Sequence, residues 1–204
     1  MRRDFNPQDQ EPYFPRLGQE PKKSFGEKVS SNFFLRYMSG YGLDVGFKGG
    51  NESAAPILTS AVGVDLGYPG YDGANLPFAS ESKDYVYSSH CLEHVLKPFD
   101  CLREWLRVVK VGGFVIIVVP HQYLYEKKSN MPSRFSREHL RFYTPSKLLE
   151  HVEAALAPNS YRVKFLEDGD TDFDYNLPPE THSTGQYEIT LVLEKITPPY
   201  WKVE

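Results

Sequence analysis

Residues 41–50 read YGLDVGFKGG, and this stretch decides the fold. GLDV has the composition of a short buried strand carrying one carboxylate, and it runs straight into a glycine-rich turn. A strand that ends in such a turn is the usual opening of a nucleotide pocket in an α/β sheet. Glycines serve there because the backbone approaches the ligand with no Cβ in the way. This chain places Lys48 where the middle glycine of such a turn normally stands.

Working outward, AVGVDLG reads as a second buried strand ending on Asp65, with NESAAPILTS as a short helical crossover between the two. Asp65 lies about 20 residues beyond the loop, where a carboxylate accepts hydrogen bonds from ribose hydroxyls. KDYVYSS is a third strand, running into HCLEH. Phe99, Leu102, Leu106 and Val109 recur at helical spacing, and Gly112 and Gly113 are expected to stop that helix. FVIIVV is apolar on both faces, the habit of a parallel strand covered on both sides. Thr144 and Pro145 supply an N-cap and a first-turn proline for a following helix. YRVKFLE and YEITLVLEK alternate and read as a closing antiparallel pair. Before the first strand, residues 24–38 carry Phe25, Val29, Phe33 and Tyr37 near helical spacing, and residues 1–23 read as an extended or mobile lead-in. The predicted class is α/β, doubly wound, with a mostly parallel seven-stranded sheet, helices on both faces and an antiparallel C-terminal strand. Residues 24–204 are expected to form one domain.

Bulk properties narrow the function. A chain of 204 residues, 40% hydrophobic and 25% charged, has the profile of a globular domain with a sizeable core. Its net charge of −4 and lack of a basic tract argue against a phosphate backbone as partner. No apolar run approaches the length of a membrane span, and the first residues lack the apolar centre of a signal peptide. Two cysteines, Cys91 and Cys101, are too few for a disulfide framework or a thiolate zinc site, so a reducing cytoplasm is the default compartment. EDGDTDFDYN begins like a calcium loop, but Phe173 and Pro179 stand where Gly and Glu are required. It is read as a solvated turn, and no metal is expected; a mixed site of His90, His121 and a distant carboxylate is not required by any spacing.

LDVGFKGG, VGVDL, YDGANLPFASESKDYVYSSHCLEHV and WLRVVKVGGFVIIVVP resemble the successive motifs of class I S-adenosylmethionine-dependent methyltransferases, over roughly residues 40–120. SSHCLEHV and PSRFSREHLRFYTPSKLLEHV resemble members linked to polysaccharide and glycan biosynthesis. The resemblance implies S-adenosyl-L-methionine as cofactor. It carries Asp44, Gly46 and Gly50 to the loop under the methionine portion, Asp65 to the ribose, and Asp72, Gly73 and Ala74 to the adenine edge. Ser88, Ser89 and His90 are implied to lie under the sulfonium.

The family loop runs Asp-x-Gly-x-Gly-x-Gly, so Lys48 departs from it. Its side chain either folds outward into solvent, pairs with the cofactor carboxylate, or spoils the pocket in a catalytically silent relative. Because Asp44, Asp65 and Asp72 all stand at suitable spacings, the loop is read as working, with Lys48 outward. A dehydrogenase on the same fold would want Gly-x-Gly-x-x-Gly, which is absent. Methyl transfer to a hydroxyl needs a proton acceptor, and histidine suits the task with an unperturbed pKa near 6.5. His90 and His121 both follow strands; His90 is the first choice for base and His121 the second. Glu93 and His94 are assigned to holding the loop and helix, and His139 either to an acceptor pocket or to packing. The expected acceptor is a small molecule or a glycan-related sugar. An Asn/Asp-Pro-Pro-aromatic tetrad, the mark of nucleobase amine methylation, is missing. Oligomeric state is left open.

Overall fold

The computed structural model describes residues 16–201 apart from 49, 50 and 52. A six-stranded sheet runs through the molecule in the order β2-β1-β3-β4-β6-β5. Its strands are β1 (Gly42–Val45), β2 (Ala61–Val64), β3 (Lys83–Ser89), β4 (Val109–Pro120), β5 (Tyr161–Gly169) and β6 (Glu188–Lys195). The first four pair in parallel, whereas β6 is antiparallel to both β4 and β5. The class is therefore as expected, but the described sheet has six strands rather than seven.

Side-chain alternation explains why both faces must be covered. On β3, Tyr85 and Tyr87 face one cluster and Val86 the other; on β4, Ile116 and Val118 oppose Val115, Ile117 and Val119. Helices α1 (Gln19–Ser30) and α2 (Phe33–Tyr37) cover the first face, burying Phe25, Phe33, Phe34 and Tyr37. Helices α3 (Pro98–Val108) and α4 (Pro145–Ala155) cover the second. In α3 the buried face is Cys101, Leu102, Trp105, Leu106 and Val108, while Phe99 is partly exposed. Thr144 caps α4, its hydroxyl accepting from Lys147 N, as its sequence implied.

Four local expectations are corrected. The helix expected over residues 24–38 is two helices, broken where Asn32 takes a left-handed φ of 57°. It also starts earlier, since α1 takes in residues 19–23 of the stretch read as lead-in; residues 1–15 lie outside the described part. The crossover after β1 forms turns with no helix among its described residues, and Pro56 near its centre has no N–H to give one. Finally, α3 ends at Val108, where two β-branched residues turn the chain extended, and Gly112 and Gly113 lie inside β4. Gly112, at φ 79°, accompanies a register shift against β3 rather than a helix end.

From β1 the chain crosses outward to β2, then returns past β1 to β3. The strand order thus reverses between β1 and β3, and a ligand crevice is expected outside their carboxyl ends. Gly46 and His90 stand there, one at each strand end.

Candidate functional site

A cavity of about 690 Å³ opens at this switch point, within the range of small-molecule and cofactor sites. Gly46, Asp65, Asp72, Gly73, Ala74 and His90 all line it. Gly46 is held at φ 80°, and a Cβ there would stand 2.5 Å from Cys91 Sγ, so only glycine fits between the loop and β3. Asp65 Oδ2 accepts from the Lys48 backbone N–H at 3.0 Å, and its Oδ1 from Leu66 N at 2.7 Å. Each carboxylate oxygen keeps a second lone pair, enough for the two hydroxyls of a ribose. Lys48 therefore shapes the loop through its main chain. Asp72 closes a tight turn: hydrogen bonds from the Asn75 side chain and the Asn75 and Ala74 amides hold its carboxyl down at about 2.

Other expected residues lie outside the cavity wall. Asp44 is buried, and its Oδ2 accepts from Ile57 N at 2.6 Å, pinning the crossover loop to β1. Burial pushes its carboxyl up to about 7, against the pull of that amide and with the Asp65 charge adding to the rise. Ser88 Oγ donates to Val45 O at 3.0 Å, tying β3 to β1. Ser89 shares a small hollow with Asp44 beneath residues 17–21. Gly50 lies outside the described residues.

The two histidines differ sharply. His90 adopts φ 50°, a left-handed conformation that non-glycine residues take at a cost and that clusters at functional sites. Its ring borders the cavity, with Nε2 3.3 Å from Glu188 Oε2 and Nδ1 3.9 and 4.0 Å from Glu93 and Glu20. Burial alone would disfavour the imidazolium, but these carboxylates outweigh it and raise the pKa above the usual 6.5. Glu188 is buried too; Lys28 and His90 overcome its desolvation and hold it well below the ordinary carboxylate range. His121 does not line the cavity. Its Nδ1 accepts from Tyr123 N and Leu124 N, capping the π-helical turn Gln122–Glu126, and burial lowers its pKa while Asp168 partly opposes this.

Glu93, His94, His139 and Glu20 also line the cavity, and sequence reasoning gave none of them a catalytic role. The signal was present in HCLEH: with no helix until Pro98, the residues after β3 form a turned wall of the crevice. Glu20 arrives from α1, which no local motif pointed to.

What this geometry can do is hold a nucleoside across the switch point, between Gly46, Asp65 and Asp72, and present its far end to His90. Several carboxylates face the same space, which suits a cationic sulfonium. Residues 43–117 match the Methyltransferase domain family (Methyltransf_11). An uncharacterized methyltransferase of Mycobacterium tuberculosis is 38% identical over 66 residues, 32% of this chain and 25% of that protein. One from Mycobacterium leprae is 36% identical over the same length, 23% of it. The matched stretch thus spans about a quarter of these curated relatives. Among solved structures, a SAM-dependent methyltransferase from Aquifex aeolicus covers 94% of this chain and 100% of its own, at 16% identity and TM-score 0.54. The [4+2]-cyclase SpnF, at 14% identity and TM-score 0.54, covers 83% of this chain and 80% of its own. These structures share the fold. Residues 43–117 are thus similar to the Methyltransferase domain family (Methyltransf_11), and the chain has the fold of solved SAM-dependent methyltransferases.

Proposed function

We propose that the chain transfers a methyl group from S-adenosyl-L-methionine to a hydroxyl of a small molecule, of the glycan or nucleotide-sugar class, with His90 as the base. The observation carrying this reading is the cavity at the β1/β3 switch point, which Gly46, Asp65, Asp72 and His90 all line. The cofactor supplies an activated methyl on a sulfonium. Asp65 takes the ribose hydroxyls, and Asp72 with Gly73 and Ala74 borders the adenine. The loop around Gly46 gives the methionine portion a backbone with no side chain in its path. The acceptor oxygen attacks the methyl carbon as the carbon–sulfur bond breaks, and its proton passes to His90. Glu188 then stabilises the imidazolium and orients the ring, as the buried carboxylate of a catalytic triad does for its histidine. His121 is assigned the support of its turn.

The glycan class rests on the resemblance of residues 88–95 and 132–152 to members of that kind. A second reading is a silent relative that binds the cofactor without methyl transfer, and SpnF, a cyclase, shows this fold in other use. A screen of nucleotide sugars and oligosaccharides for labelled methyl uptake, with amine acceptors alongside, separates the readings. Uptake on a hydroxyl acceptor, reduced in His90→Ala, is expected. Uptake on amines alone would overturn the hydroxyl assignment, and cofactor binding with no uptake on any acceptor would favour the silent relative.

A further inference from the structure

Beside His90 the cavity wall carries a cluster that methyl transfer does not use. Glu93 is fully buried, and neither of its carboxylate oxygens has a hydrogen-bond partner among the described residues. A buried carboxylate in that condition is costly unless a cation meets it. Its Oε1 faces His94 Nε2 at 3.6 Å, His90 Nδ1 at 3.9 Å and His139 Nε2 at 4.0 Å. All three are too long for hydrogen bonds.

His94 and His139 are each fixed at the opposite ring nitrogen. His139 Nδ1 lies 2.8 Å from Glu126 Oε1, and Glu126 is buried and held by Ser133 Oγ at 2.6 Å and Arg134 N at 2.8 Å. His94 Nδ1 lies 3.1 Å from the Glu138 carbonyl. A carbonyl and an ionised carboxylate only accept, so each Nδ1 carries the N–H. In the neutral form each ring then turns its lone pair, at Nε2, toward Glu93. Two lone pairs and an anionic oxygen converging on one region repel unless a cation sits among them. Metal-ligating histidines characteristically donate their other N–H to a carboxylate or backbone carbonyl, and both rings do so here.

We propose that Glu93, His94 and His139 form a binding site for a first-row divalent cation of the zinc or cobalt type. Their three ligand atoms lie within 4.8 Å of one another, so modest side-chain rotation closes them onto an ion at about 2.0–2.2 Å. Two imidazoles and one carboxylate suit such ions, whereas calcium and magnesium take oxygen ligands. Three protein ligands leave a coordination position facing the cavity, open to a water or acceptor oxygen. Sequence reading expected no metal because Glu93 and His94 are adjacent while His139 comes from a distant loop, a spacing that matches no local motif.

Titration of the metal-stripped full chain with Co²⁺, followed by visible d–d absorption and by competition with Zn²⁺, tests the site. One ion per chain is expected, with affinity reduced by about 100-fold or more in His94→Ala and Glu93→Gln, beyond the 10–100-fold typical of losing an outer partner. His151→Ala, removing a histidine outside the cavity, should bind as wild type does. His94 is partly exposed at 32%, so its truncation keeps the test sound even if Glu93→Gln fails to fold. Absence of a bound Co²⁺ in the wild type, or wild-type affinity in His94→Ala, would overturn the proposal. The titration needs neither cofactor nor acceptor, so metal binding without methyl transfer, or the reverse, tells the two proposals apart.

Discussion

His90 Nε2 lies 3.3 Å from Glu188 Oε2, and through this pair the cavity is tied to a buried ion pair. Glu188 opens β6, and its other oxygen is 3.0 Å from Lys28 Nζ on α1; both side chains are buried. One carboxylate thus joins α1, β3 and β6 at the edge of the crevice.

Glu188→Gln should therefore destabilise the fold by about 3–5 kcal/mol, because it leaves the Lys28 ammonium buried without its counter-charge. Adding Lys28→Met should recover most of the loss, since a paired charge and a well-packed apolar replacement are often near parity. Urea unfolding of the two variants measures both effects. A single variant as stable as wild type would contradict the buried pairing.

Asp44 gives a pH dependence with a definite sign. Its folded-state pKa is raised to about 7 from 3.8, so the fold binds its proton more tightly than the unfolded chain does. Its contribution is full below about pH 4 and is lost as pH rises toward 7, amounting to a few kcal/mol. Asp44→Asn stays neutral and keeps an acceptor for Ile57 N. Its stability relative to wild type should rise steadily between pH 4 and 7, by denaturant unfolding at each pH. A flat difference would show that Asp44 is ionised in the fold throughout.

Lys48→Gly should leave cofactor affinity within about tenfold, or 1.4 kcal/mol, because the contact from residue 48 to Asp65 is made by its backbone N–H. Calorimetry on the variant decides this. A much larger loss would assign the ammonium itself to the cofactor.

Much of this arrangement was legible in the sequence. The apolar runs over β1, β3 and β4 gave the parallel core, and the alternation of β5 and β6 gave the antiparallel edge. The spacing from Asp44 to Asp65 put Asp65 at the end of the second strand, and there it lines the cavity with Gly46. What stayed hidden depends on tertiary contact. Glu93, His94 and His139 meet only once the loop after β4 folds back over the turn after β3, and no periodicity encodes that. Asp44 and Ser88 share the motif's chemistry yet turn inward, Asp44 to hold the crossover loop and Ser88 to tie β3 to β1, a choice of rotamer rather than of residue type. His121 follows a strand as His90 does, but its ring satisfies the orphan amides of a π-helical turn.

His90→Ala should lower turnover by about 10²–10⁴-fold, the span of general-base catalysis, while cofactor affinity stays within about tenfold. His121→Ala should instead cost about 1 kcal/mol of stability, the worth of a helix cap, with turnover near wild type. Steady-state kinetics beside thermal unfolding separates the two. If His121→Ala loses turnover and His90→Ala keeps it, the roles must be exchanged.

The most direct measurement is calorimetric titration of the chain with S-adenosylhomocysteine, in wild type and in Asp65→Ala. One site per chain is expected in the wild type. A loss of about 1.5–3 kcal/mol is expected in the variant, the range for hydrogen bonds to a charged group, with the fold intact by circular dichroism. Absence of binding in the wild type, or equal affinity in a folded Asp65→Ala, would contradict the placement of the cofactor at the β1/β3 switch point.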